Sequence, residues 1–165
     1  MRFQIVGKLL TKRDRKVLRQ FCRYTVKTIK TKKSSALIRI YFINEKNLKS
    51  NKDKQELKHY LAWINMFGSG NFTIIINENM INRNIKDPIK RLRNAMMCVG
   101  HELVHVKQYI NHEMRDYANG DVWFKGQRYS KWEEAENYYF SPWEVEAYGH
   151  EEGLFECFKD WFSTK

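Results

Sequence analysis

The run His101-Glu102-Leu103-Val104-His105 restricts what this chain can fold into more than any other part of it. Residues four apart on an α-helix share a face, so this H-E-x-x-H segment, read as helix, turns both imidazoles towards one point and leaves Glu102 beside them. Two imidazoles so aimed form a metal-binding pair, and the carboxylate between them is placed to act as a general base. A catalytic zinc takes three protein ligands and keeps one position open, so a second element must supply the third. With 5 His and 13 Glu in 165 residues, random order yields roughly 0.01 matches to the pattern, which makes accident a poor explanation.

Size and composition allow one core around that helix. At 165 residues, with 42% hydrophobic and 15% aromatic side chains, the expectation is a single domain over 1–165. Cys22, Cys98 and Cys157 are odd in number, widely spaced and without a C-x-x-C pair. That predicts neither a disulfide framework nor a cysteine zinc site, and fits a reducing compartment. The first ten residues have only brief apolar stretches, broken by Arg2, Gln4 and Lys8, too short for a signal-peptide core. No run approaches the length that spans a bilayer. The expected location is cytoplasmic, without export by a signal peptide and without a membrane partner.

Charge divides the chain. Residues 1–58 carry 18 Lys+Arg against 4 Asp+Glu, whereas residues 111–165 carry 6 against 12, within an overall net charge of +11. The strongly basic half (1–58) and the half with the signature (88–165) are therefore different surfaces, and an anionic partner such as nucleic acid is expected at the first.

Thr11, with Asp14 three residues on, predicts a helix start, and a 3.6-residue period runs from Thr11 to Lys30. Leu18, Phe21, Cys22, Thr25 and Ile29 form its inner face. Lys12, Lys16, Arg19, Arg23, Lys27 and Lys30 fall within about 80° of one another outside, a cationic stripe that suits either plain solvation or phosphate contacts. Residues 36–43 predict a strand. A lysine-rich loop follows over 44–58, and residues 60–67 and 72–77 then flank Gly68-Ser69-Gly70-Asn71 as a hairpin. Asp87-Pro88 opens the signature helix, expected to about Tyr109, and Ser141-Pro142 opens another, expected to Trp161, with Ser141 as its cap. Val122-Trp123-Phe124 and Gln127-Arg128-Tyr129 are short enough to pair only briefly. Cys98, Trp123, Trp132, Trp143 and Trp161 are expected to be packing residues.

A third His six residues after His105 would fall at position 111, where Asn111 stands, and His112 is one residue out of register. His112 is read as a polar loop residue, and the third ligand is sought on a later element. Residues 133–156 hold eight Glu. One of them, Glu144, also closes an S-x-x-E pattern with Ser141 that could cap the helix.

His101-Glu-Leu-Val-His105 followed by Val106-Lys107-Gln108, with Pro142-Trp-Glu-Val-Glu-Ala147 downstream, resembles the gluzincin metallopeptidases. It is similar to SprT-like and minimal gluzincin domains, including compact ones encoded by bacteriophages. The motif likeness covers the second half of the chain. Tyr109 stands where SprT-like proteins often have a further His, and Tyr148 where gluzincins often have Asp. The resemblance implies a zincin-like α+β fold: an N-terminal basic helix, a small mostly antiparallel sheet of about three strands, the signature helix and a C-terminal ligand-bearing helix. It implies Zn2+ held by His101, His105 and Glu144, with Glu146 as the alternative third ligand. These two lie about 200° apart around a helix, so only one can face the metal. Glu146, Glu151 or Glu152 would orient a ligating His.

The expected function is zinc-dependent hydrolysis of peptide bonds in a protein or peptide substrate, with Glu102 as general base. Candidate oxyanion donors are Tyr148 and His150, with Tyr139 and Tyr129 behind them. The hairpin edge would let an extended substrate add as a strand. For a phage-encoded chain the location would be the host cytoplasm. The alternative is a basic nucleic-acid-binding or structural protein that keeps a metal-stabilised fold without peptidase activity.

Overall fold

The computed structural model describes residues 1–7, 10–44, 46, 48, 61–68, 70–81, 85–130 and 138–165. Most of the lysine-rich loop after Asn44, together with Tyr60, Ser69 and Trp132, lies outside the described residues. The elements in order are β1 (Arg2–Val6), α1 (Lys12–Thr28), β2 (Leu37–Ile43), β3 (Ala62–Phe67), β4 (Asn71–Asn77), α2 (Glu78–Ile81), α3 (Pro88–Ile110), β5 (Met114–Asp116), β6 (Val122–Phe124), β7 (Gln127–Tyr129) and α4 (Pro142–Ser163). Helices and small sheets are both present, in keeping with the α+β class.

The sheet departs from expectation. The main sheet has four strands in the order β1-β2-β4-β3, and β5-β6-β7 form a second sheet of three. In the first, β1–β2 and β2–β4 are parallel and only β3–β4 is antiparallel. The reason is the crossover: α1 carries the chain back along the sheet, so β2 starts at the same end as β1. β1 escaped the sequence pattern because it is only five residues long, although its burial alternates, Phe3 half-buried and Ile5 buried between exposed Arg2, Gln4 and Val6. One row of the sheet pairs Ile5 with Ile40, Ile40 with Ile74, and Ile74 with Ile64.

In β2 the alternation is plain: Ile38, Ile40 and Phe42 are buried and their neighbours half-buried. Phe72, Ile74 and Ile76 of β4 continue that apolar face, and the helices cover it. In α1, Leu18, Phe21, Cys22 and Thr25 have no exposed surface. Its start is a capping box: the Asp14 amide donates to the Thr11 hydroxyl, and the Thr11 amide donates to the Asp14 carboxylate. Gly68 and Gly70 take φ values of 57° and 77° in the β3–β4 turn, the left-handed backbone that a tight hairpin asks for.

α3 lies at the centre. Asp87 accepts from the Ile89 amide at 2.8 Å and Pro88 occupies the first turn. From Val99 to Val106 every residue is buried, so the helix is enclosed on all sides, by α4 most extensively and then by α1. Gly100 makes that enclosure possible: a Cβ there would sit 3.3 Å from Phe21 Cζ.

The second sheet pins the start of α4. Lys125 and Gly126, with φ of 44° and 95°, turn β6 into β7 in two residues. Val122 and Phe124 then form a small cluster with Trp143, which Tyr129 completes. Ser141 has the extended backbone of a helix cap, but its hydroxyl makes no capping bond and is buried without a partner among the described residues. The capping box that S-x-x-E would allow is thus not formed, and Glu144 is turned elsewhere. No helix among the described residues is long and apolar enough to cross a membrane.

Candidate metal centre

His101 and His105 lie one turn apart on α3, and their side chains meet the first turn of α4. His101 Nε2 and His105 Nε2 are 3.1 Å apart. The Glu144 carboxylate faces both, Oε2 at 3.1 Å from His101 Nε2 and Oε1 at 3.3 Å from His105 Nε2. All three residues are buried, and one donor atom from each lies within 4.8 Å of the others. A group of this kind can hold a metal ion. Glu144 Oε2 is a buried oxygen whose hydrogen bonding is unsatisfied by the described residues, as expected of an oxygen that awaits a cation.

The far sides of both imidazoles are held. His101 Nδ1 is 2.7 Å from Glu151 Oε1, and His105 Nδ1 is 2.8 Å from Gln108 Oε1. Gln108 is fixed in turn, its amide donating to Trp143 O at 3.1 Å and to Glu146 Oε2 at 3.2 Å. An acceptor at Nδ1 keeps the proton there and leaves the Nε2 lone pair pointing inward, which sets the tautomer a ligand needs. Glu144, Ala147, Tyr148 and Glu151 share one face of α4 by their spacing. Ala147, with no exposed surface, lets that face approach α3.

The charges of the centre are strongly coupled. Burial opposes protonation of His101, but Glu144 and then Glu151 outweigh it and push the imidazole up to about 10. His105 is raised in the same sense against burial, chiefly by Glu144. Burial would raise the Glu144 carboxyl, yet the imidazoles of His101 and His105 hold it down at about 2. Glu102 is raised by burial, partly offset by His105 and His101. A carboxylate with elevated proton affinity beside a group that could hold a metal is suited to take and return a proton.

Two adjoining hollows, of about 170 and 330 Å³, open over the centre and share Ala62, Glu102, Tyr138 and Glu144 as walls. His101 lines the first and His105 the second. β3, an edge strand of the main sheet, borders both through Ala62. Tyr139 and Tyr148 line the first hollow, and the Tyr148 ring lies 4.7 Å from that of His101. Burial and the nearby Glu144 carboxylate raise Tyr148 to about 12, so its hydroxyl keeps its proton and can donate.

The other expected residues are placed as follows. Glu146 does not face the histidines: Lys107 and Lys125 each donate to it at 2.8 Å, and against burial they hold its carboxyl down at about 2. Glu152 pairs with Arg93 at 2.6 Å. His150 is exposed and lines neither hollow, and Tyr129 packs against Trp143 with ring centroids 5.6 Å apart. Asn111 caps α3 and His112 is an exposed turn residue with φ 59°. Cys98 lines the first hollow, and burial, then Glu151 and Glu102, raise its thiol to about 12, so it is a poor nucleophile. The cations of the α1 stripe lie on a helix that packs against α3 and the far part of α4.

Sequence reasoning missed Gln108 as the partner of His105, although a residue three positions on along a helix is a natural neighbour. It also missed Tyr138, whose phenol is raised by burial and by the Glu144 carboxylate. No local signal marks Tyr138, which is brought over the centre by the chain preceding α4. Comparison with protein-family models, with curated proteins and with solved structures finds no match.

Proposed function

We propose that the protein is a zinc-dependent peptidase of gluzincin type with a zincin-like fold, in which His101, His105 and Glu144 hold the ion. The observation that carries this reading is the convergence of two Nε2 atoms and one carboxylate at 3.1–3.3 Å. Ligands of a tetrahedral ion with bonds of about 2.0–2.1 Å stand about 3.3 Å from each other, and a two-His, one-Glu set suits catalytic zinc. When bound, Zn2+ supplies Lewis-acid polarisation of a carbonyl and brings the pKa of water towards neutrality.

The chain's own residues supply the rest. Glu102, buried and raised in proton affinity, takes the proton of the attacking water and passes it to the leaving amine. Glu151 and Gln108 keep each Nδ1 protonated, so the imidazoles neither flip nor compete for that proton. Tyr138, Tyr139 and Tyr148 surround the first hollow, and of these Tyr148, stacked edge-on to His101, is the favoured donor to the developing oxyanion. The outer edge of β3, which pairs with no other strand among the described residues, runs beside both hollows and can pair with an extended polypeptide, which presents its scissile carbonyl between Glu102 and Tyr148.

The test is Glu102→Gln in the metal-loaded chain. Metal content should match the parent while hydrolysis of an unstructured protein substrate such as casein falls by about 10²–10⁴-fold. His105→Ala should lose the metal itself. Full hydrolysis by Glu102→Gln sinks the role of Glu102, and a parent chain that retains no zinc after purification and reloading sinks the reading as a whole.

A further inference from the structure

We infer that a second site, for single-stranded nucleic acid, lies in the groove between α1 and the C-terminal end of α4. Gln20, Arg23, Tyr24, Lys27, Thr28 and Trp161 line a surface hollow of about 550 Å³. Tyr24 and Trp161 sit side by side on its floor, ring centroids 5.3 Å apart, and Trp161 is 38% exposed. The Lys165 ammonium stands 5.1 Å from the Trp161 ring centroid, so the ring already takes a cation against its face. Trp161 follows Glu144 by 17 residues on one helix, so the groove is about 25 Å from the metal centre.

Charge names the occupant. Apart from the imidazole–carboxylate pairs of the metal centre, the ion pairs among the described residues are Arg93–Glu152, Lys107 and Lys125 with Glu146, Lys107–Glu113, Arg128–Asp121 and Lys159–Glu156. None involves the α1 stripe, whose Lys12, Lys16, Arg23, Lys27 and Lys30 are exposed. Lys12 to Lys27 extends about 22 Å along the helix, with a cation every three or four residues, and Arg23 and Lys27 line the groove. A row of cations without ion-pair partners among the described residues, beside an exposed Trp161 and a half-buried Tyr24, is the pattern that binds phosphates on one side and stacks unpaired bases on the other. A double helix keeps its bases inside and offers nothing to Trp161. A bilayer surface is disfavoured because Leu18, Phe21 and Cys22, the apolar face α1 would insert, have no exposed surface.

The test uses the full chain with labelled oligodeoxythymidine and oligouridine, read by fluorescence anisotropy, with a duplex and phosphatidylserine-containing vesicles as competitors. Either strand should bind and quench tryptophan fluorescence, the tighter one naming the natural class, with log K falling by about 0.7 per phosphate neutralised against log salt. Trp161→Phe should remove the quench and keep most of the affinity. Trp161→Ala should weaken binding about tenfold, and Lys16→Glu, Arg23→Glu and Lys27→Glu together should weaken it by a further factor of at least about ten. These surface variants should keep the parent's metal content and melting temperature. Unchanged affinity in the triple variant, an undiminished quench in Trp161→Phe, or displacement by vesicles or duplex in preference to free strand would overturn the proposal. Because strand binding is read without hydrolysis, its failure leaves the peptidase reading standing.

Discussion

The two ends of α4 differ in almost everything but their helical backbone. At the first turn Trp143 is 1% exposed, wedged against Phe124 and Tyr129 of the second sheet, and the neighbouring Glu144 is 3% exposed against two histidines. At the last turns Trp161 and Phe162 are each 38% exposed, beside a helix whose exposed cations form no ion pair among the described residues. Around the first end each charge meets its opposite: Glu144 and Glu151 face His101, and Glu146 holds Lys107 and Lys125. One helix thus presents an enclosed carboxylate–imidazole set that could hold a cation at one end, and at the other an exposed tryptophan beside excess positive charge, the surface proposed above for a polyanion. What separates them is enclosure: the second sheet walls in the first end, and nothing comparable covers the second among the described residues.

The sharpest way to break this comparison is to truncate both tryptophans. Trp143→Ala should cost about 3–5 kcal/mol in urea unfolding, because it empties a fully packed site, and should lower metal retention by loosening Glu144. Trp161→Ala should cost less than about 1 kcal/mol and leave metal retention intact. Equal costs would show that the two ends are packed alike.

A smaller effect separates the carboxylates of α4. Glu151→Gln and Gln108→Leu each remove or alter an acceptor at a histidine Nδ1 and should weaken zinc affinity by about 10–100-fold in a chelator competition. Glu156→Gln, on the same helix but bonded to Lys159, should not move it. An equal loss in Glu156→Gln would mean that helix charge, and not imidazole orientation, sets the affinity.

The smallest expected change is the pH profile of the metal-free chain. Glu144, held at about 2 against an ordinary 4.5, contributes stability that is present above 4.5 and lost as pH falls towards 2. His101, raised to about 10 from 6.5, contributes stability that is full below 6.5 and lost as pH rises through about 10. The melting temperature should therefore peak between pH 4.5 and 6.5. Saturating zinc should abolish the alkaline decline, because the ion takes the place of the shared proton. A metal-free melting temperature that climbs from pH 6.5 to 10 would contradict the arrangement.

Local rules made much of this molecule readable in advance. Thr11 and Asp14, Asp87 and Pro88, and the paired Gly68 and Gly70 each act on neighbouring backbone, and each bounds its element where expected. The convergence of His101 and His105 follows from helix periodicity alone. Non-local choices were less accessible. β1 is too short, at five residues, to announce itself, so the parallel half of the sheet was unexpected. Ser141 and Glu144 satisfy a capping pattern that the fold does not use, because the histidines of another helix attract the carboxylate more strongly than a backbone amide does.

The sequence by itself determined the signature helix, the two inward imidazoles with Glu102 beside them, and the separation of a basic from an acidic half, since these depend on spacing and composition within short stretches. Only the tertiary structure decided between Glu144 and Glu146, assigned Glu151 and Gln108 to the imidazoles, and put Tyr138 over the centre and Trp161 beside Arg23 and Lys27. The physical reason is that a helix turns both glutamates of Glu144-Val145-Glu146 outward in different directions with equal ease. Which one meets the histidines depends on the rotation of α4, and that rotation is fixed by Trp143 locking into a small sheet more than a dozen residues upstream.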